Sequence, residues 1–125
     1  IPAEINMANY HKRGAIGMAR DNNPDKASSG CQFYIVVGKK FTEEELKGIS
    51  AKTGRKFTPK QIRDYKTIGG TPHLDGNYTV FGLVEEGMEV VDKIAAEQRN
   101  NMDRPDKDIA MIKVRLKKKK VLGIF

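Results

Sequence analysis

This 125-residue chain has no tryptophan, one cysteine, two histidines and no long apolar run, and each shortage removes a class of function. A lone cysteine cannot close an internal disulfide, so Cys31 says nothing about the redox compartment. No Cys-His signature accompanies it, and it is expected as a small buried strand residue, the usual behaviour of free cysteine. His11 and His73 stand 62 positions apart, without helical or zinc-type spacing, so no metal site is expected from them. No apolar stretch reaches the roughly 18 residues that a membrane-spanning helix requires.

Other motifs fail on one or two residues. Asp21-Asn22-Asn23-Pro24-Asp25 opens like a calcium loop. Lys26 then stands where that loop needs glycine, and Gln32 where it needs a bidentate glutamate. Gly69, Gly70 and Gly76 match neither phosphate-binding pattern. No cofactor is expected.

The formal charge of +7 is concentrated at one end. Of the 23 basic residues, six lie between 109 and 125, where no acidic residue occurs, so residues 1–108 carry 17 basic against 16 acidic. Specific nucleic-acid binding calls for a basic face with arginine or aromatic readers. Lys117-Lys118-Lys119-Lys120 has neither and reads as a solvated run. Attachment to an anionic surface through these lysines is the weaker alternative.

The length suits one domain. Ile1-Pro2-Ala3-Glu4-Ile5 carries no initiator methionine, basic n-region or apolar h-region, and reads as the interior of a domain. Its alternation predicts a short strand, followed by a polar, turn-like Asn6–Arg13. Strands are predicted over 14–20, 33–37, 78–84 and 109–116, with Ala110, Ile112, Val114 and Leu116 as the core face of the last. Residues 38–72 contain two capping boxes, Thr42 with Glu45 and Thr58-Pro59 with Gln61, which predict two short helices on the outside of the domain. Ile62, Tyr65 and Ile68 form the apolar stripe of the second, and Gly69-Gly70 ends it. Asp75-Gly76 marks a tight turn. An amphipathic helix is predicted over 87–98, with Met88, Val91, Ile94 and Ala95 on its core side.

On the 33–37 strand, alternation puts Gln32, Tyr34 and Val36 on one face and Phe33, Ile35 and Val37 on the other. Either face could be the core face.

Four ordered segments resemble the cyclophilins, enzymes that rotate the peptide bond before proline. Gly14-Ala15-Ile16-Gly17-Met18-Ala19 is similar to that family's strand ending in Met-Ala. Ser29-Gly30-Cys31-Gln32-Phe33-Tyr34-Ile35 resembles its Gly-Ser-Gln-Phe-Phe-Ile segment. His73-Leu74-Asp75-Gly76-Asn77-Tyr78-Thr79-Val80-Phe81-Gly82 resembles its Trp-Leu-Asp-Gly-Lys-His-Val-Val-Phe-Gly segment, and Val84–Val91 its next strand-to-helix step.

The resemblance implies a mainly β fold, a closed antiparallel barrel with capping helices, of which residues 1–116 are the C-terminal part with a helical insertion over 38–72. Residues 117–125 form a basic and apolar tail. It implies peptidyl-prolyl isomerisation, with Tyr34 and Leu74 lining a proline socket and Tyr78 at its rim. Gln32 would hold the substrate backbone, and Ala19, Arg20 and His73 would line the substrate path. The family's Phe-His-Arg strand falls upstream of the region matched, so the chain is expected to begin too late to contain the principal arginine. Tyr10-His11-Lys12-Arg13 lies in the wrong register to supply it. A non-catalytic proline-recognising module on the same fold is the alternative. The expected partners are proline-containing peptides and proteins. Order is expected to require a retained N-terminal fragment or an exchanged strand in a dimer.

Overall fold

The strands are short segments of the chain separated by turns, loops and helices. In the computed structural model, which describes residues 1–117, Ala15–Met18 forms β1, Phe33–Ile35 β2 and Val80–Leu83 β3. The helices are Glu43–Thr53 (α1), Pro59–Thr67 (α2) and Met88–Ala95 (α3), with a 3-10 turn over Pro72–Leu74. The chain divides into two compact units, Ile1–Ala95 and Ala96–Phe125.

The first unit holds an antiparallel three-stranded sheet in the order β2-β1-β3. Gly17 faces Tyr34 on one side of β1. On the other side the register slips between Ile16 and Gly17, which pair with Gly82 and Val80 and leave Phe81 as the extra residue. Bonding continues past the strand ends, from Gly14 N–H to the Val36 carbonyl at 2.8 Å and from Ala19 N–H to the Gln32 carbonyl at 3.0 Å. The sheet is open. Val36 is 3% exposed and Phe33 48%, so the inward face of the β2 segment carries Tyr34 and Val36.

Both helices of the 38–72 segment start at the threonines that sequence assigns. Thr42 accepts from Glu45 N–H while Glu45 returns a carboxylate to Thr42 N–H, and Thr58 and Gln61 repeat the arrangement with Pro59 in the first turn. The pair is expected against the outside of the domain, and α1 does expose all but a few of its residues, yet each helix turns one face inward. Leu46 and Tyr65, fully enclosed, join Tyr10 in the apolar core, and Phe41, Phe57 and Ile62 pack around them. A chain of this size cannot fill a core from three short strands, so the helices supply the volume. Two details were not expected. Tyr10 and His11, within the polar, turn-like 6–13 stretch, are buried. Ile68, placed on the apolar stripe, is the C-terminal cap of α2 and is exposed, because the stripe ends one turn earlier at Tyr65.

Other expectations also fail. Cys31 is exposed, because it precedes the first paired residue of β2. Residues 1–5 form no strand, although Ile1 exchanges two bonds with Ser28 and Glu4 N–H reaches the Thr79 hydroxyl. In α3, Met88 and Val91 are half-buried, whereas Ile94 and Ala95 face outward. The helix is shorter than its periodicity predicts, and only its first turns carry half-buried side chains.

The second unit begins with a loop in which Asn100 organises the chain. Its side-chain oxygen accepts from Met102 and Arg104 N–H, and its own N–H donates to the Arg104 carbonyl. The strand expected over 109–116 does not form, and Ile112 is 97% exposed. Alternation alone cannot hold a strand, since its N–H and C=O groups need a neighbouring ladder and none pairs with it among the described residues. Of the expected tail, residues 118–125 lie outside the described residues. No helix among the described residues is long and apolar enough to cross a membrane.

Candidate functional site

Tyr34 is held from three directions. Its ring lies across the backbone of Gly17, where an added Cβ would sit 2.3 Å from Tyr34 Cζ. The ring also stacks on His11, with centroids 5.9 Å apart and an interplanar angle of 12°. The Tyr34 hydroxyl lies 2.7 Å from His11 Nε2.

His11 is in turn fixed by Asp75. The carboxylate takes His11 N–H at 2.7 Å and His11 Nδ1 at 2.9 Å on one oxygen, and the Tyr65 hydroxyl at 2.5 Å on the other. An ionised carboxylate only accepts, so Nδ1 carries a proton toward Asp75, and in the neutral ring Nε2 is left to accept from the Tyr34 hydroxyl. The result is a chain of bonds, Tyr65–Asp75–His11–Tyr34, buried up to its partly exposed Tyr34 end. Burial pushes the Tyr34 hydroxyl well above the ordinary phenol range, with Tyr78 and the Asp75 charge adding to it and Arg20 opposing. Burial and the Asp75 carboxylate push Tyr65 up likewise. Tyr34 therefore stays un-ionised with its hydroxyl engaged by His11, leaving the ring as the surface it offers.

The turn carrying Asp75 is set by Gly76. Asn77 N–H closes on the Leu74 carbonyl at 3.1 Å, and Gly76 takes a φ of 78°, the left-handed region that a type II turn needs in its third position. This turn presents Leu74 on one side and Tyr78 on the other. Tyr78 meets Tyr34 edge-to-face with centroids 6.0 Å apart, and Arg20 lies over the Tyr78 ring at 4.7 Å from its centroid. Arg20 Nε donates to the Asn77 carbonyl at 2.7 Å.

Of the residues that sequence singled out, Tyr34, Tyr78 and Arg20 form one continuous contact set. Ala19 and Gln32 are joined by a backbone bond at the end of the β1–β2 pair, with the Gln32 side chain exposed. Leu74 is half-buried beside Asp75, and His73 is exposed on the 3-10 turn. Sequence reasoning missed His11, Asp75 and Tyr65. The pairing of a histidine with a turn aspartate 64 positions later leaves no local signal, although a turn Asp-Gly with a histidine elsewhere would justify looking.

Arg13 is turned away from this set. Its guanidinium donates to Asp92 on α3 at 2.6 Å, and that bond holds it firmly protonated. A separate groove of about 300 Å³, lined by Tyr10, Lys12, Val80, Phe81 and Leu83 among others, lies along β3 and includes none of the sequence-derived site residues. No cluster of metal-ligating side chains occurs among the described residues.

Residues 1–116 match the sequence model of a family described as cyclophilin type peptidyl-prolyl cis-trans isomerase/CLD. The Dictyostelium discoideum protein named peptidyl-prolyl cis-trans isomerase cypE is 41% identical over 96 residues, covering 71% of this chain and 61% of that protein. Peptidyl-prolyl cis-trans isomerase CYP18-2 of Arabidopsis thaliana is 31% identical over 99 residues, covering 74% and 60%. A Streptococcus pyogenes protein named putative bifunctional phosphatase/peptidyl-prolyl cis-trans isomerase is 38% identical over 104 residues, 80% of this chain but 20% of that protein. The chain thus spans about three-fifths of the first and second of these relatives and a fifth of the third.

Proposed function

This chain belongs to the cyclophilin-type peptidyl-prolyl cis-trans isomerase family, and on that premise we propose that it rotates Xaa-Pro peptide bonds in peptides and proteins. The reaction needs no nucleophile, metal or cofactor. An amide resists rotation by about 20 kcal/mol because twisting it forfeits resonance, and Xaa-Pro bonds exchange unaided over roughly 10–100 s. Catalysis requires a socket that grips the proline ring and groups that favour the twisted bond over the planar one.

In this reading the face of Tyr34 is the floor of the socket, with Leu74 and Tyr78 as its walls. Gln32 holds the substrate backbone through its amide, and Ala19, Arg20 and His73 line the path of the chain. The closed barrel of the whole protein, with the present sheet as one part, belongs to the same proposal. So do a complementing N-terminal segment and its exchange between two copies.

The observation that carries the reading is the immobilised Tyr34 ring. An aromatic pinned by Gly17, His11 and Tyr78 loses little further freedom when it packs on a proline ring. The test is exchange spectroscopy on a short Xaa-Pro peptide with the full-length protein. Exchange faster than the uncatalysed rate supports the enzyme. Saturable binding without acceleration would replace it with a proline-recognising module, and neither binding nor acceleration would remove both.

A further inference from the structure

Three cations converge on the turn that carries Leu74 and Tyr78. Arg20 Nε donates to the Asn77 carbonyl at 2.7 Å, and Lys26 Nζ donates to the Gly76 carbonyl at 2.9 Å. The Arg55 guanidinium, from the connection between α1 and α2, lies against Gly76 so closely that a Cβ there would meet it at 2.5 Å. All three side chains are only partly exposed, and none is in an ion pair among the described residues. The carboxylate of this turn, Asp75, is buried and already taken by His11 and Tyr65. Asp21 gives Arg20 its main-chain carbonyl, while its side chain accepts from Asn23.

Like charges gathered on half-buried positions repel one another, and an unpaired cluster is stabilised by an anion that arrives with a ligand. The carbonyl bonds fix Arg20 and Lys26 without neutralising them, and both keep N–H groups that no bond among the described residues uses: Arg20 spends two of its five, Lys26 one of its three. Arg20 also covers Tyr78, so the charge begins at the rim of the proposed socket.

We infer that Arg20, Lys26 and Arg55 form a subsite for an anionic group on the substrate, a carboxylate or a phosphate close to its proline. The inference rests on the proposed proline socket, whose position beside the turn makes a flanking residue the group that meets the cations. Lys26 comes from the loop before β2 and Arg55 from the helical insertion, so the insertion contributes to substrate choice as well as to the core.

The experiment is a binding titration of full-length protein with short peptides that differ only beside one proline, carrying Glu, phosphoserine, Gln or Lys. At low salt the Glu and phosphoserine peptides should bind more tightly than the Gln peptide by about two- to fivefold for each cation engaged, and the Lys peptide more weakly. The preference should fall toward unity at about 0.5 M salt. It should shrink in Lys26→Gln and Arg55→Gln, and the salt series on the unmodified protein decides the matter if either variant fails to fold. Phosphoserine well ahead of Glu would identify phosphate as the group selected, and parity would identify charge alone. Equal affinity of the Glu and Gln peptides at low salt would overturn the subsite while leaving the socket. A Glu peptide whose proline is replaced by alanine, binding as well as its parent, would support the cationic subsite and count against the socket.

Discussion

The Tyr34 hydroxyl and His11 Nε2 share a hydrogen bond of 2.7 Å, joining the 33–35 strand to a residue that precedes the sheet. The His11 end is enclosed and the Tyr34 end partly so, and removing either leaves the other without its partner. Tyr34→Phe should destabilise the protein by about 1–3 kcal/mol in urea unfolding. A double-mutant cycle with His11→Leu should return a coupling of about 0.5–3 kcal/mol, and a coupling near zero would show that the bond contributes nothing.

Gly17 tests the placement of the ring. Its backbone is not in the left-handed region, so an alanine there is excluded by Tyr34 alone. Gly17→Ala should cost about 1–3 kcal/mol by overpacking. It should also raise KM for a proline peptide, because the ring must leave its seat. Unchanged stability and unchanged KM would mean that the ring moves freely.

The helical insertion should behave as core. Leu46→Ala is expected to cost about 2–5 kcal/mol and Tyr65→Ala about 3–5 kcal/mol, values typical of enclosed side chains. Circular dichroism during thermal unfolding checks this, and losses below about 0.5 kcal/mol would return the helices to the periphery.

Alkaline pH should unfold the protein. Tyr10 is pushed up from 10.0 to about 12, first by burial and then by its bond to Asp64. Tyr34 and Tyr65 are raised as well. A raised folded value means that the unfolded chain loses its proton first. The contribution is therefore complete below about pH 10 and is lost as pH climbs toward 12 and beyond. Urea midpoints should hold up to about pH 9 and then fall, with part of the fall removed in Tyr10→Phe. Midpoints that rise with pH in this window would contradict the assignment.

Arg13 should matter little to turnover. Its partner is Asp92, and both side chains are partly solvated, so Arg13→Ala is expected to cost about 0–1 kcal/mol of stability. Peptide exchange should be unchanged, and a large loss would place Arg13 in the site despite its orientation.

Local chemistry was legible in the residues themselves. Thr42 with Glu45 and Thr58 with Gln61 specify helix starts because each donor and acceptor lies within one turn of its partner. Asp75-Gly76 specifies its turn because only glycine takes that backbone conformation without strain. The order of the segments pointed to the family. Whatever depended on distant partners waited for the tertiary structure. Only packing reveals that Val36 rather than Phe33 is enclosed, that Tyr65 completes the core, and that His11 meets both Asp75 and Tyr34. The 109–116 segment shows the same division from the other side. Its alternation is written in the chain, but a strand exists only where another backbone pairs with it, and pairing is decided by the neighbours that the fold brings near.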